Sequence, residues 1–297
     1  MVRALGWSEI DGRMSATLRP FSPADIQPCG IIVYEAFAGF AARTGFPPSF
    51  PSVEIATALV RNLVEDRTTF GVVAEQDGRA VGSNFLTMGD RIGGVGPVTV
   101  SPAAQSSGVG RQLMQAVINK GLKLDGIRLV QDSSNILTVC LYAALGFEVQ
   151  EPLLGMVGTP REGLRPGEQV RPLEKQDLAA CNELCAQIHG FDRASDLDRA
   201  REPFVVIRNG RITGYLTSAT LYQTSHGIAE TEEDMQALLC GVGAATGKPV
   251  ALLLPTRQTS LLRWCLSNGF KAQRPMTLMA MGAYNKPAGA WFPSLWY

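Results

Sequence analysis

The chain of 297 residues is predicted to form an α/β fold of the mixed-sheet α+β kind, built twice in tandem. Three observations predict it. Between residues 94 and 118 a strand, a short glycine-bearing loop and a helix follow one another. A second strand and a second amphipathic helix come directly after. Upstream, two apolar runs are joined by a glycine turn, and the wording of that hairpin returns 132 residues later.

The strand, loop and helix read Gly94 to Arg111, G-V-G-P-V-T-V-S-P-A-A-Q-S-S-G-V-G-R. The β-branched run Val95 to Val100 stops at Ser101-Pro102, because proline cannot donate to a ladder. Val109, Leu113 and Val117, with Met114 and Ile118 beside them, then recur at helical spacing. Gly108 and Gly110 remove the side chains that would hold a bulky anion away from the backbone. The amides of Ser106, Ser107, Gly108, Val109, Gly110 and Arg111 point outward together at the positive end of a helix, which suits a pyrophosphate. Two glycines in a loop also serve as a plain tight turn, so the flanking sequence decides.

After the helix come Asp125-Gly126, a strand from Ile127 to Gln131, Asn135, and a helix with Leu137, Leu141 and Leu145 at steps of four. That helix holds Tyr142 and closes on Gly146-Phe147. Together with Q-x-x-G-x-G at Gln105 to Gly110, the order resembles the GNAT superfamily of acyl-CoA-dependent N-acyltransferases. Its cofactor motif, Q/R-x-x-G-x-G/A after a strand, precedes an Asn…Leu-Tyr…Gly-Phe helix. The resemblance implies acetyl-CoA as co-substrate, no metal, and transfer to a primary amine of a small molecule or peptide by direct attack in a ternary complex. It implies that Val98, Thr99 and Val100 pair with the pantetheine arm and polarise the thioester carbonyl. Gln105 to Gly110 with Arg111 would hold the pyrophosphate, Asn135 would touch the cofactor arm, and Tyr142 would protonate the departing sulfur. Read without the family, Tyr142 is an amphipathic core tyrosine and Asn135 a cap or turn residue.

In chain order, Thr17 to Phe21 reads as a strand, Ser22 to Ile26 as a capped helix start, and Tyr34 to Ala42 as helix ending near Gly45. Phe46-Pro47-Pro48-Ser49-Phe50-Pro51-Ser52 is a stiff aromatic loop, either a connector on the core or a wall of the acceptor site; the resemblance favours the wall. Ser52 caps the next helix, with Glu54 in its first turn. The hairpin Phe70–Ala74 and Ala80–Leu86 turns at Asp77-Gly78.

Gly78 and Gly82 of that hairpin match Gly210 and Gly214. Leu18-Arg19-Pro20 with Asp25-Ile26 resembles Val170-Arg171-Pro172 with Asp177-Leu178 at an offset of 152, and Gly146-Phe147 resembles Gly269-Phe270 at 123. The expected division is an extension over 1–15, a catalytic domain over 16–152, a Gly- and Pro-rich linker over 153–169, a second domain over 170–283 and a tail over 284–297. The second copy has no Q/R-x-x-G-x-G. At that place it has His226 to Met235, whose Glu230, Glu232, Glu233 and Asp234 would repel a diphosphate, and Cys265 stands where Tyr142 would be. It is therefore expected to be a degenerate GNAT-like domain that packs, dimerises or shapes the acceptor pocket.

Composition excludes several classes. Lys plus Arg and Asp plus Glu both total 27, so no basic field points to nucleic acid and no charge run to an anionic membrane. No apolar run is long enough to span a bilayer, and Met1 to Ser15 lacks the apolar core of a secretory signal, with Met14 as an alternative start. The six cysteines, at 29, 140, 181, 185, 240 and 265, have no metal-ribbon spacing; Cys181 and Cys185 read as small buried hydrophobes, and reduced cytoplasmic thiols are expected.

Strand 94–101 carries no carboxylate, so the amine is expected to lose its proton through water to a more distant acid: Glu35, Glu54 or Asp90. Cys140 is two residues from Tyr142 on a helix and points elsewhere, against an acyl-cysteine route. The aromatic tail from Ala290 to Tyr297 either packs on the second domain or reaches back to line the acceptor pocket, bringing the Tyr297 carboxylate. The alternative to an enzyme is a non-catalytic acyl-CoA sensor on the same fold.

Overall fold

The computed structural model describes residues 16–191 and 193–296. The expected extension 1–15 and the Tyr297 carboxylate lie outside them. The first copy runs β1 (Thr17–Pro20), α1 (Ile26–Thr44), α2 (Val53–Glu65), β2 (Thr69–Gln76), β3 (Arg79–Thr87), β4 (Ile92–Val95), β5 (Thr99–Val100), α3 (Val109–Lys120), β6 (Gly126–Asp132), α4 (Ile136–Ala144) and β7 (Glu148–Gly158). The second runs β8 (Glu168–Pro172), α5 (Leu178–His189), α6 (Ala194–Asp198), β9 (Phe204–Arg208), β10 (Arg211–Leu216), β11 (Gly227–Ala229), α7 (Glu232–Thr246), β12 (Val250–Pro255), α8 (Thr259–Ser267), β13 (Phe270–Gly282) and β14 (Ala290–Phe292).

Local chemistry accounts for the repeat. Asp77-Gly78 and Asn209-Gly210 both turn with φ of 53° and 72°, the left-handed pair that a two-residue hairpin needs. Both hairpins skip one residue at the same place, between Ala74/Glu75 and between Ile212/Gly214. Arg19 grips Asp25 at 2.7 Å and Arg171 grips Asp177 at 2.6 Å, each carboxylate also accepting a backbone amide at 2.8 Å. Burial and the paired guanidinium act in opposite senses there; the hydrogen bond from Arg19 dominates and holds the Asp25 carboxyl down at about 2. Helix α1 starts at Ile26 and stops at Gly45, φ 74°, as the capped start at Ser22 to Ile26 and the end near Gly45 predict.

The strands assemble into two sheets. The larger has the order β1-β2-β3-β4-β6-β13-β7-β12, with β5 paired to β3; the smaller, all antiparallel, is β14-β11-β10-β9-β8. The larger sheet mixes antiparallel pairs with one parallel pair, β4 to β6. Its middle is shared between the copies: β13, from the second, lies between β6 and β7 of the first, and β7 lies between β13 and β12 of the second. Each copy thus donates its last long strand into the other. Leu153 pairs with Met276, residues that are themselves 123 apart and hence equivalent in the repeat, so the internal pseudo-two-fold passes through this pair.

Two sequence expectations are corrected here. The linker does not begin at 153, because β7 continues to Gly158 in the centre of the sheet, and the domain boundary at 152 would cut that strand. Gly155 and Gly158 read as loop residues but mark close approach: a Cβ at Gly158 would collide with the Phe270 backbone. Likewise the run Val95 to Val100 is not one strand. Gly96, φ 131°, and Pro97 break it between β4 and β5.

Helices cover both faces of the larger sheet. On one, Val109, Leu113, Met114 and Val117 of α3 pack with Tyr142 and Phe147; on the other, Cys29 and Val33 of α1 meet Ala56 and Val60 of α2 over Phe85. Leu153 is 1% exposed in a core it shares with Met276 and Leu253. Leu153→Ala is expected to cost about 2–5 kcal/mol of unfolding free energy. Far-UV circular dichroism and tryptophan fluorescence should report one shared urea transition; two separate transitions would contradict the shared sheet.

Candidate active site

The parallel ladder between β4 and β6 runs only over Ile92–Gly94 against Gly126–Arg128. Beyond it the chain turns away at Gly96-Pro97. Strand β5 then pairs with β3 through Gly82–Val100 and Ser83–Thr99, and among the described residues no strand covers its other edge. The two strands diverge into a cleft of about 1570 Å³. That volume exceeds the roughly 300–1,000 Å³ of an ordinary small-ligand pocket.

Most of the expected residues converge on this cleft. Val98, Thr99, Val100, Gln105, Ser106, Gly108, Gly110, Arg111, Asn135 and Tyr142 all line it. Ser107 and Val109 do not: the Ser107 hydroxyl donates to the Ala104 carbonyl at 2.6 Å, and Val109 is core, 3% exposed, so only their amides bear on the site. The side-chain amide of Gln105 donates to the Val100 carbonyl at 3.1 Å, tying the loop to β5. Helical bonding in α3 begins where Gln112 N–H donates to the Gly108 carbonyl at 3.1 Å, so the amides of Val109, Gly110 and Arg111 have no partner within the helix. Gly108 has φ 90° and open space where a Cβ would stand; one on Gly110 would point toward Leu141 and Val100, into the cleft. This is an open helix start beside an exposed strand edge.

Tyr142 is 6% exposed, its ring held 6.2 Å from that of Phe147. Burial pushes its phenol well above the ordinary value, so it remains a proton donor throughout the physiological range. Of the three carboxylates expected as bases, Asp90 alone lines the cleft, and it accepts the Ser195 amide at 3.2 Å and the Ser195 hydroxyl. Glu35 and Glu54 are exposed on α1 and α2. The sequence reading missed Asp132. It ends β6 at the mouth of the cleft, one oxygen accepting the Ser134 amide at 3.0 Å, the other 3.9 Å from Arg274 without a hydrogen bond. Asp132-Ser133-Ser134-Asn135 reads as a turn, which hid it.

The far wall comes from the second copy. Arg274 of β13 donates to Ser49 at 3.1 Å and to the Pro47 carbonyl, fixing the aromatic loop, while Phe50 meets Phe37 edge-on at 5.3 Å. Ser49, Phe50 and Pro51 line the cleft, so the loop is both packed connector and wall. The tail also does both. Its β14 joins the smaller sheet, then Trp296 crosses to the first copy, donates from Nε1 to the Gly96 carbonyl at 3.1 Å and lines the cleft.

Residues 66–149 match the family model of the acetyltransferase (GNAT) domain. The match places a GNAT acetyltransferase domain within the first copy. Solved structures carry the same fold over both copies. A protein of Pyrococcus horikoshii assigned to the acetyltransferases is 15% identical with a TM-score of 0.69, covering 97% of this chain and 98% of that one. A GCN5-related N-acetyltransferase from Sphaerobacter thermophilus is 15% identical with a TM-score of 0.62, covering 91% and 98%. A tandem GNAT protein from the clavulanic acid biosynthesis pathway is 14% identical with a TM-score of 0.58, covering 91% and 100%. No curated protein matches the chain in sequence.

Among the described residues, the second copy has the equivalent strand edge covered. By the hairpin register, β11 is the counterpart of β5: Gly82 pairs with Val100, and its equivalent Gly214 pairs with Ala229. The edge that stays bare in β5 is covered in β11 by the tail strand β14, through Gly227–Phe292, Ile228–Trp291 and Ala229–Ala290. Gln258, 123 residues after Asn135, donates to the Trp291 carbonyl at 2.6 Å and accepts its amide at 3.0 Å. The start of α7 is closed as well, since Thr231 caps the Asp234 amide at 3.1 Å and Asp234 binds Arg208 and Thr213.

Gly94 is where the tail docks: a Cβ there would collide with the Trp296 backbone. Gly94→Ala is expected to lower stability by about 1–3 kcal/mol. Removing residues 293–297 from that variant should recover part of the loss in a thermal melt, while equal losses with and without the tail would place the clash elsewhere.

Proposed function

We propose that the first GNAT copy is an acetyl-CoA-dependent N-acetyltransferase that moves an acetyl group to a primary amine of a small molecule or peptide, by direct attack in a ternary complex. The observation that carries this reading is the convergence, in one cleft, of the bare edge of β5, the open amides of α3 and the buried phenol of Tyr142. Acetyl-CoA supplies a thioester carbonyl as electrophile. The chain's own residues supply the rest. The first-turn amides of α3, with Arg111, suit a pyrophosphate, and the N–H and C=O groups of residues 98–100 suit an extended arm that pairs as a strand does. Asn135, at the start of α4, lines the same cleft.

The acceptor amine must arrive neutral, and its nitrogen loses a proton as the new amide forms. Asp132 is the group assigned to take that proton, directly or through one water, because it is a part-buried carboxylate at the end of β6 that lines the cleft and has one oxygen that accepts no hydrogen bond. Tyr142 gives its proton to the departing sulfur and regains one from solvent. Phe37, Phe50 and Trp296 form an apolar wall for the body of the acceptor. The six cysteines are free thiols, which accords with a cytoplasmic location.

Tyr142→Phe is expected to lower kcat by about 10²-fold or more with acetyl-CoA affinity unchanged, and Asp132→Asn to lower kcat most at neutral pH and less as the pH rises and the free amine accumulates. Turnover with a panel of amines, alongside acetyl-CoA binding, checks both. Wild-type protein that binds acetyl-CoA but acetylates no amine in the panel supports the sensor reading; full activity of Tyr142→Phe removes Tyr142 from the mechanism.

A further inference from the structure

The chain has two histidines, and the second copy brings them together. His189 ends α5 and His226 precedes β11; their Nε2 atoms lie 3.1 Å apart, with ring centroids 5.3 Å apart. Cys185 stands one helical turn before His189, on the same face of α5. A sulfur and two ring nitrogens from these three residues all lie within 4.8 Å of one another, and all three residues are buried. Tyr215 of β10 meets the His226 ring edge-on at 5.8 Å and brings its buried hydroxyl toward Cys185. Trp291 and Phe191 close the nest over His189 at 5.6 and 5.7 Å.

A hydrogen bond between the two rings would join two of these three donors. A metal ion joins all three. Two imidazole nitrogens on one tetrahedral zinc, with bonds of about 2.0–2.1 Å, stand roughly 3.3–3.4 Å apart, close to the separation found here. Both rings are buried, and an imidazole ligates in its neutral form. Arg193 and Arg128 oppose a cation, while Asp196, ion-paired to Arg193, and a Cys185 thiolate offset them.

We propose that Cys185, His189 and His226 form a buried site for a zinc-type divalent cation, with the Tyr215 hydroxyl at the fourth position. On binding, the Cys185 S–H bond gives way to a sulfur–metal bond and its proton leaves to solvent; the imidazoles keep one proton each on the nitrogens that do not ligate. The ion would tie α5, β10 and β11 together directly behind the cleft. The His226 amide donates at 2.9 Å to the hydroxyl of Thr217, which lines that cleft. Sequence spacing does not reveal the set, since His226 is 37 residues from its partner.

The test is to strip the full chain with a chelator and titrate it with Co²⁺. The expected result is one equivalent bound, with thiolate-to-cobalt absorption that Zn²⁺ displaces and that Cys185→Ser abolishes, weakening Co²⁺ binding at least tenfold. No such absorption in the wild-type protein, or absorption that persists in Cys185→Ser, overturns the proposal. Should the variant fail to fold, imidazole ¹⁵N spectra of the unaltered protein decide. One equivalent of Zn²⁺ should move the signals of both histidines, and unmoved signals overturn the site.

Discussion

The structure depends on the pairing of β7 with β13. Neither copy can complete its sheet alone: β6 needs β13 as its neighbour, and β12 needs β7. The energetic consequence is that burying Leu153, Met276 and Leu253 stabilises both halves at once. The functional consequence is geometric. Strand exchange brings Arg274, and with it the aromatic loop 46–52, to the edge of the first copy's cleft, and it leaves the second copy close enough for its tail to reach Gly94 and Gly96.

Within that shared frame the copies diverge at one strand edge. In the first, β5 parts from β6 and keeps a bare row of N–H and C=O groups beside a glycine cradle. In the second, β14 fills the same place, Gln258 binds the tail strand's backbone on both sides, and the helix start is occupied by its own threonine and aspartate. The chain's own peptide therefore occupies the position that, in the proposed enzyme, belongs to an extended cofactor arm. A duplicated fold keeps one cleft open and covers the equivalent strand edge of the other copy.

Much of this was legible in the residues. Loop glycines and the Gly-Phe helix end point to the family, and the paired hairpins with their Arg-Asp clasps reveal the duplication before any coordinates. What was hidden is long-range. Gly155 and Gly158 make the end of β7 look like a linker, because Leu153 to Gly158 holds only apolar residues and glycine and has no polar residue to show a period of two. Asp132 looks like a turn residue, because only the splay of β5 from β6 makes it face a cleft. His189 and His226 meet through tertiary packing across 37 residues, beyond the reach of spacing rules.

The most direct test of the account is isothermal titration of the full chain with acetyl-CoA, repeated on a variant carrying Gly108→Glu and Gly110→Glu. One binding event per chain, lost in the variant, is the predicted result, since the β5 edge and the start of α3 are open while their counterparts at β11 and α7 are covered. Two events would contradict the plugged second cleft, and no event would contradict the proposed transferase.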